Sequence, residues 1–307
     1  MTPELIQLAK ELGFAACFVF APDPFPQYER RRNDGALHTN GLQLSANPQS
    51  DFPWANAIVT LLRTYRPYAA GVPLSGYYES SNHTYHAATT LLERLNERGL
   101  RAERVYVPVR ELLLRNHAGV ALKNGLTAVP PYGTRFTVQT LAVHLPDCSY
   151  TECALPAEKT LCDTCTLCEK ACPSGAIGCD GYDFHQCMRA FMRKDVMPEW
   201  VMARMTTMLG CEQCQNACPY NREVGTKRNL PDAFAYEKLL RHDLAEALSL
   251  VGTNQKSGGR IEAHAAILAA REGRTDLLPL IEALMADPRA LVRESARYAR
   301  MRLRETE

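Results

Sequence analysis

The 307-residue chain is 46% hydrophobic and carries a formal net charge of +1. A chain of this length and apolar content can bury a core and form two modest domains. The near-neutral charge excludes a general attraction to nucleic acids or membranes, so either partner would need a local patch. No segment approaches the roughly 18 continuous apolar residues of a spanning helix, and the amphipathic N-terminus is unlike a signal peptide. Composition therefore predicts a cytoplasmic protein without a membrane contact.

Residues 1–145 alternate between helical and strand-like patterns. Helices are predicted for TPELIQLAKELGF and for HTYHAATTLLERLNERG, which stops at Gly99, a residue type that commonly follows a helix. Strands are predicted for AACFVF, NAIVTLLRTY, ERVYVPV and RFTVQTLAVHL. This alternation predicts an α/β (α+β) sandwich domain.

Residues 146–231 form a second predicted domain, which is rich in cysteine. Its periodic apolar content is limited to two short predicted helices, YDFHQCMRAFMRK and PEWVMARMTTM. Few large apolar residues are available for a core, so bound metal is expected to hold this region together. The twelve cysteines of the chain support the same interpretation, because disulfides are disfavoured in the cytoplasm.

The first cysteine motif is LCDTCTLCEKACP, which contains Cys162, Cys165, Cys168 and Cys172 followed by Pro173. The spacing C-x2-C-x2-C-x3-C-P is that of bacterial ferredoxins, in which three cysteines bind one [4Fe–4S] cluster and the fourth binds the other. Structural zinc is the alternative, because it needs only two CxxC pairs. Zinc would leave Cys168, Cys172 and Cys218 without a role, so the motif favours an iron–sulfur site.

A second motif, GCEQCQNACP, contains Cys211, Cys214 and Cys218 and is one cysteine short of a full copy, because Met208 occupies the first position. The first cluster is therefore predicted to bind Cys162, Cys165, Cys168 and Cys218. The second cluster would bind Cys172, Cys211 and Cys214, and it needs a fourth ligand. Cys187 is the preferred candidate, ahead of Cys179, with Cys148 and Cys153 as further alternatives.

Residues 232–307 are predicted to form a third, helical domain. The patterns IEAHAAILAAREG, TDLLPLIEALMAD and PRALVRESARYARMRL each predict a helix, and DPRALVRESARYA resembles one HEAT-type repeat. Five arginines recur mostly at helical spacing: Arg289, Arg293, Arg297, Arg300 and Arg304. They would form either a basic stripe for a tRNA backbone or a solvated face balanced by Asp287, Glu294 and Glu305.

Several segments resemble the epoxyqueuosine reductase family, which is distantly related to reductive dehalogenases. The segments are SNHTYHAATTLLERL, VPVRELLLRNHAG, KNGLTAVPPYGTRF and the two cysteine motifs. The resemblance implies a cobalamin-binding domain, a ferredoxin-like module with two [4Fe–4S] clusters and a HEAT-like tail. It gives the role of the eighth cluster ligand to Cys187, and it implies cofactor-binding roles for Tyr85, His86, Pro108, Lys123, Asn124 and Gly133. The implied reaction is reduction of a modified tRNA nucleoside, with electrons from a ferredoxin or flavodoxin.

The chain departs from the family pattern at two places. Where the family has a proton-donating aspartate three residues before its proline, this chain has Val105, and a glycine-rich loop is shortened to Val120-Ala121-Leu122. The proton would then come from another residue. Tyr106 and Glu111 are the nearest candidates, and His117 and Tyr132 lie on adjacent loops. Strand alternation would turn Tyr106 to the face opposite Val105.

Each candidate also has a purely structural interpretation. Glu111 suits the positive N-terminal end of a helix, and Lys123 and Asn124 can shape a turn. Tyr85 and His86 can be ordinary residues of an amphipathic helix. Two functions therefore compete: a cobalamin-dependent iron–sulfur reductase resembling epoxyqueuosine reductase, and an electron-transfer or corrinoid-binding protein of the same fold without that activity. The retained α/β domain favours the reductase, because an electron relay needs only the cluster module.

Overall fold

The computed structural model describes residues 2–33, 44–154, 161–179, 181–192 and 194–305. The chain divides into two compact units. Unit 1 comprises Met1–Tyr65 and His83–Asp163, and unit 2 comprises Arg66–Asn82 and Thr164–Glu307. Among the described residues, no helix combines the length and the apolar character that crossing a bilayer requires.

Unit 1 is built around one four-stranded sheet. Its helices are α1 (Thr2–Glu11), α2 (Pro26–Asn33), α3 (Pro48–Asp51), α4 (Gly76–Glu97) and α5 (Val109–Arg115), and the first turns of α4, up to Asn82, belong to unit 2. Its strands are β1 (Ala16–Phe20), β2 (Ala57–Thr64), β3 (Ala102–Val105), β4 (Val120–Ala121), β5 (Thr127–Ala128) and β6 (Phe136–Val143). The predicted helices and three of the predicted strands are confirmed, whereas the strand predicted for ERVYVPV ends early, at Val105.

The sheet has the strand order β1-β2-β6-β3, and every neighbouring pair is antiparallel. The predicted sandwich is therefore of the α+β type. Side chains of β2 alternate between two apolar cores: Val59 and Leu61 enter one core together with α1 and α4, and Ile58 and Leu62 enter the other together with α5. Both faces of the sheet are buried, so the position of a residue along its strand decides which core it meets.

Strands β4 and β5 form a short hairpin, and the turn that connects them contains Lys123 and Asn124. A Cβ atom at Gly119 would lie 2.6 Å from Thr127 Cγ2, so only glycine fits at the start of this hairpin. Asn124 is buried, and its Oδ1 accepts the Leu126 N–H at 3.1 Å. Asn124 therefore shapes the turn.

Unit 2 consists of short elements around the cysteine motifs, followed by longer helices. Its helices are α6 (Leu167–Ala171), α7 (Met188–Phe191), α8 (Glu199–Arg204), α9 (Gln213–Asn216), α10 (Tyr236–Leu240), α11 (Ala245–Val251), α12 (Arg260–Arg271), α13 (Leu278–Leu284) and α14 (Ala290–Arg304). Strands β7 (Ile177–Gly178) and β8 (Gly181–Tyr182) form a small hairpin. The three helices predicted for the C-terminal segment are confirmed as α12, α13 and α14.

The single short helix predicted for YDFHQCMRAFMRK is divided in the structure. Only Met188–Phe191 is α-helical, after a 3-10 turn at Phe184–Gln186, and residue 193 lies outside the described residues. The side chain of Asp183 accepts a backbone N–H at the start of the turn, and Cys187 is extended, with φ of −67° and ψ of 123°. The side-chain cap and the extended Cys187 interrupt the helix that the apolar spacing predicted.

One apolar core runs through unit 2. It includes Met202 and Met208 from the cysteine-rich segment and Ile267, Leu291 and Ala299 from the C-terminal helices. Helices α12 and α13 both pack against α14. The cysteine-rich segment and the helical tail therefore bury their apolar side chains in a common core.

A buried pair of carboxylates shares one arginine in the tail. The side chains of Glu262 and Asp287 are 1% and 5% exposed. Arg289 binds both, at 2.8 Å to Glu262 Oε1 and at 2.7 Å to Asp287 Oδ2. The hydrogen bond from Arg289 holds the pKa of Asp287 below its usual range. Arg289 is therefore a structural cation of unit 2.

Ion pairs neutralise part of the basic stripe predicted along the last helix. Arg297 pairs with Glu294 at 2.7 Å, and Arg304 pairs with Glu282 at 2.8 Å. Arg289 is committed to the buried carboxylates. A tRNA contact through this face stays a prediction.

Arg289→Ala is expected to lower the free energy of unfolding by about 3 kcal/mol, because it leaves two buried carboxylates without their cation. Arg297→Ala is the matched control. Its partner Glu294 is 38% exposed, so this change should alter the stability by less than about 0.5 kcal/mol. Chemical denaturation of both variants beside the wild type measures the difference, and equal stabilities of the two variants would contradict the prediction.

Candidate metal centre

The two cysteine motifs fold into similar local structures. Each places one cysteine two residues before a short helix, α6 or α9, a second cysteine within the helix and a third shortly after it. The last cysteines, Cys172 and Cys218, are extended, with ψ of 113° and 125°, because a proline follows each of them. Helix α6 packs against α9. The duplicated spacing therefore produces two adjacent loops of the kind that a two-cluster protein requires.

The thiols of the second motif are buried among other predicted ligands. Burial raises the pKa of Cys214 to about 12, and nearby cysteines add to the rise: Cys211, Cys187, Cys172 and Cys168. Burial likewise raises the pKa of Cys211 to about 11, and Cys187 and Cys172 add to the rise. The structure thus brings together Cys172, Cys187, Cys211 and Cys214 in unit 2.

This set of four neighbouring, partly buried thiols suits a metal cluster. As thiolates they would repel one another, and iron ions supply the positive charge that keeps them deprotonated. Over the described residues, no group of three or more His, Cys, Asp or Glu side chains is arranged to hold a single metal ion. A cubane cluster does not need such convergence, because each of its irons takes one cysteine. The donor set therefore fits a [4Fe–4S] cluster.

The other candidates for the fourth ligand of the second cluster lie elsewhere. Met208, which stands where a full motif would have a cysteine, is fully buried in the core of unit 2. Cys179 is exposed, and Cys148 and Cys153 pack against the apolar cores of unit 1. Cys187 is the candidate that lies beside the thiols of the second motif.

Cys162, a predicted ligand of the first cluster, accepts a backbone hydrogen bond within unit 1. The Lys123 N–H donates to its Sγ at 3.2 Å. Hydrogen bonds to cluster sulfurs help to set the reduction potential. Lys123 therefore contacts a predicted cluster ligand through its backbone.

Val105 and Tyr106 border a polar cavity of about 620 Å³ in unit 1. Val105 is 3% exposed and packs in an apolar core, whereas Tyr106 is 39% exposed. β3 ends at Val105, and the turn of Tyr106 to the face opposite Val105 stays a prediction. The wall of the cavity also includes charged side chains: Glu29, Arg32, Asp51 and Arg104. Tyr106 therefore presents a hydroxyl beside a polar cavity.

Tyr85 and His86 are exposed on helix α4. The Arg104 guanidinium lies 4.2 Å from the centre of the Tyr85 ring and donates to the Tyr85 carbonyl at 3.3 Å. Helix α4 contributes Leu91 to the core on one face of the sheet, whereas Val105 belongs to the core on the other face. The described lining of the cavity beside Val105 includes neither Tyr85 nor His86.

Local structure explains the positions of Pro108, Glu111 and Gly133. Pro108 precedes α5, and Glu111 lies in its first turn, where a carboxylate suits the helix dipole. Gly133 has φ of +66°, and its carbonyl accepts the Val129 N–H at 2.9 Å, which closes a turn. Catalytic or ligand-binding roles for these residues stay predictions.

Curated proteins named epoxyqueuosine reductase match the chain. The protein of Leadbetterella byssophila is 28% identical over 246 residues, which cover 71% of this chain and 79% of that protein. The protein of Staphylococcus aureus is 23% identical, over 96% of this chain and 87% of its own length. No family model matches the chain.

Solved structures of the same name share the fold. A selenomethionine-labelled epoxyqueuosine reductase matches with a TM-score of 0.78 over 98% of this chain and 90% of that chain, at 20% identity. The chain is a relative of the epoxyqueuosine reductases. Another epoxyqueuosine reductase structure, solved with an epoxyqueuosine-modified tRNA-Tyr stem loop, matches with a TM-score of 0.77 at 21% identity, again over 98% and 90% of the two chains. At these identities the structural matches establish the mixed helix and sheet fold.

The relationship to epoxyqueuosine reductases confirms the resemblance found in the sequence. The name of these relatives is that of an oxidoreductase, which agrees with the predicted class of enzyme. A reductive dehalogenase also matches, with a TM-score of 0.46 over 37% of that chain.

Proposed function

We propose that the chain is an iron–sulfur reductase that carries two [4Fe–4S] clusters and reduces a modified nucleoside in tRNA. The observation that carries this proposal is the proximity of the partly buried Cys172, Cys187, Cys211 and Cys214 to one another in unit 2. The name of the relatives and the tRNA stem loop in a structural neighbour support the substrate class. A tRNA substrate also implies a cytoplasmic location.

The proposed reaction needs both electrons and protons. Removal of an epoxide oxygen as water consumes two electrons and two protons. When bound, the clusters supply one-electron transfer. One ligand set is Cys162, Cys165, Cys168 and Cys218, and the other is Cys172, Cys187, Cys211 and Cys214. A ferredoxin or flavodoxin is the proposed electron donor.

Tyr106 is the proposed proton source. Its side chain is exposed and borders the cavity beside Val105, the position at which the family has an aspartate. A phenol within hydrogen-bonding reach of the substrate can donate a proton in the transition state. Glu111 is the weaker candidate, because its place in the first turn of α5 already accounts for its charge.

Cobalamin is the further cofactor that the resemblance implies. The cavity beside Tyr106 has a volume of about 620 Å³, which suits a drug-sized ligand and is smaller than a corrinoid. The described lining of this cavity includes none of the residues that the resemblance gives to cobalamin. This cavity therefore does not by itself fit a corrinoid, and no step is assigned to one.

An electron-transfer or corrinoid-binding protein of the same fold is the competing function. Val105 favours it, because a buried valine stands where the family has its proton donor. This alternative keeps both clusters and predicts no conversion of a tRNA nucleoside.

Anaerobic reconstitution followed by iron and sulfide analysis tests the clusters, and about eight irons per chain are expected. Incubation with a reduced low-potential ferredoxin and epoxyqueuosine-containing tRNA, followed by mass spectrometry of the nucleosides, tests the reaction. A cobalamin titration followed by visible absorption tests corrinoid binding. In the tRNA assay, Tyr106→Phe should lower the turnover by about 100-fold, and iron analysis should show an unchanged iron content.

The outcomes separate the candidate functions. Four or fewer irons per chain would overturn the two-cluster assignment. A full iron content without conversion of the tRNA nucleoside, with or without added cobalamin, would establish the competing function. Wild-type turnover by Tyr106→Phe would remove Tyr106 as the proton source.

A further inference from the structure

Helix α12 carries one histidine in the largely apolar run IEAHAAIL. His264 is 1% exposed, and its ring Nδ1 accepts the N–H of Leu209 at 3.1 Å. Leu209 lies two residues before Cys211, the first cysteine of the second motif. The helical tail therefore makes a buried hydrogen bond to the loop that presents a predicted cluster ligand.

Leu209 adopts a backbone conformation that needs support. Its φ is +63°, in the left-handed region that costs a non-glycine residue about 1–2 kcal/mol. The residue is 4% exposed, and the hydrogen bond made by its N–H is buried as well. A buried N–H without a partner would cost about 1–3 kcal/mol more. The bond to His264 removes that cost and stabilises the left-handed conformation.

The same loop is also held by a neighbouring segment of unit 2. The Met208 N–H donates to the Pro73 carbonyl at 2.8 Å, and the Ser75 N–H donates to the Met208 carbonyl at 3.2 Å. Ser75 Oγ donates to Glu212 Oε1 at 3.1 Å. These bonds hold the loop at both ends, and His264 holds the strained residue between them.

The imidazole of His264 is suited to accept a hydrogen bond near pH 7, because it stays neutral there. Burial lowers its pKa to about 4, and the charge of Arg260 contributes to the lowering. The ring is therefore neutral near pH 7, so Nδ1 can accept while Nε2 carries the proton.

We propose that His264 is a positioning residue for the second [4Fe–4S] cluster: it holds Leu209 and thereby the loop that presents Cys211. This inference rests on the proposed function, because it takes the cluster as given. A ligand loop that is already ordered loses less conformational freedom when it binds metal. Loss of such a supporting contact typically weakens metal retention by about 10–100-fold.

Two amide variants separate the effect of losing the acceptor atom from the effect of losing the volume of the ring. His264→Asn places an amide oxygen at the position of Nδ1, and His264→Gln moves it to the position of Nε2. The asparagine variant is expected to keep about eight irons per chain and to lose them to a chelator at the wild-type rate. The glutamine variant should lose about four irons, those of one cluster, about 10–100-fold faster.

Electron paramagnetic resonance of the reduced protein shows which cluster is lost, and thermal unfolding reports the stability of each variant. Equal iron retention in the two variants would overturn the inference, and so would loss of both clusters at equal rates in the glutamine variant. Should His264→Gln fail to fold, hydrogen exchange of the Leu209 amide in the reconstituted wild type tests whether His264 holds this residue. Strong protection is expected, and exchange at the rate of an exposed loop would overturn the inference.

The test distinguishes this inference from the proposed function. Four or fewer irons in the wild type would overturn the proposed function and the inference together. About eight irons in the wild type, with a glutamine variant that behaves like it, would overturn the inference alone.

Discussion

Replacing Cys187 with alanine is expected to lower the iron content of the reconstituted protein from about eight to about four atoms per chain. The reason is that Cys187 lies beside the buried thiols of Cys211 and Cys214 and supplies the ligand that Met208 cannot. A cubane with three cysteines has one iron open to solvent and is readily lost. Iron and sulfide analysis after desalting measures the change, and electron paramagnetic resonance identifies the remaining cluster.

Cys179→Ala is the matched control for this experiment. Cys179 lies in the same stretch between the two motifs, but its side chain is exposed. This variant should keep about eight irons. If Cys187→Ala keeps both clusters while Cys179→Ala loses one, the ligand assignment is wrong and the exposed cysteine is the eighth ligand.

Val105→Asp introduces the aspartate that the epoxyqueuosine reductase pattern has at this position. It is expected to lower the free energy of unfolding by about 4 kcal/mol. Val105 is 3% exposed and shares an apolar core with Ile58, Leu62 and Leu112. A carboxylate there would replace an apolar side chain of this core, and burying a charge typically costs several kcal/mol. Chemical denaturation measures the loss, and the iron content shows whether the clusters of the variant remain.

Val105→Thr is the control for shape at this position. It keeps the branched side chain and adds only a hydroxyl, so the expected loss is about 1–2 kcal/mol. Equal stabilities of the aspartate and threonine variants would show that water in the cavity reaches position 105. The chain could then accommodate the family's proton donor, and the absence of that residue would weigh less against the reductase.

The elements of unit 1 could be predicted because strands and helices with one or two buried faces leave apolar patterns in the sequence. The strand order could not be predicted in the same way. Val59 pairs with Leu141, 82 positions away, and the apolar pattern of a strand does not indicate which other strand it pairs with. Strand alternation also cannot be extended to Tyr106, because alternation holds only within a strand and β3 ends one residue earlier.

In the cysteine-rich segment, the spacing of apolar residues predicted the local structure less well than in unit 1. Apolar spacing predicted one short helix around Cys187, but the cap at Asp183 and the extended Cys187 divide it. His264 was not singled out as a functional candidate. Its only sign in the sequence is a polar ring inside an apolar helix, a feature that buried structural histidines share.

The sequence by itself determined which atoms can bind metal, because the C-x2-C-x2-C-x3-C-P spacing acts over a few residues of local backbone. Only the tertiary structure decided that Cys187 lies with the second motif, that Val105 is buried and that His264 contacts Leu209. The last of these contacts spans 55 positions. Such contacts depend on how separate elements pack, and local periodicity carries no record of that packing.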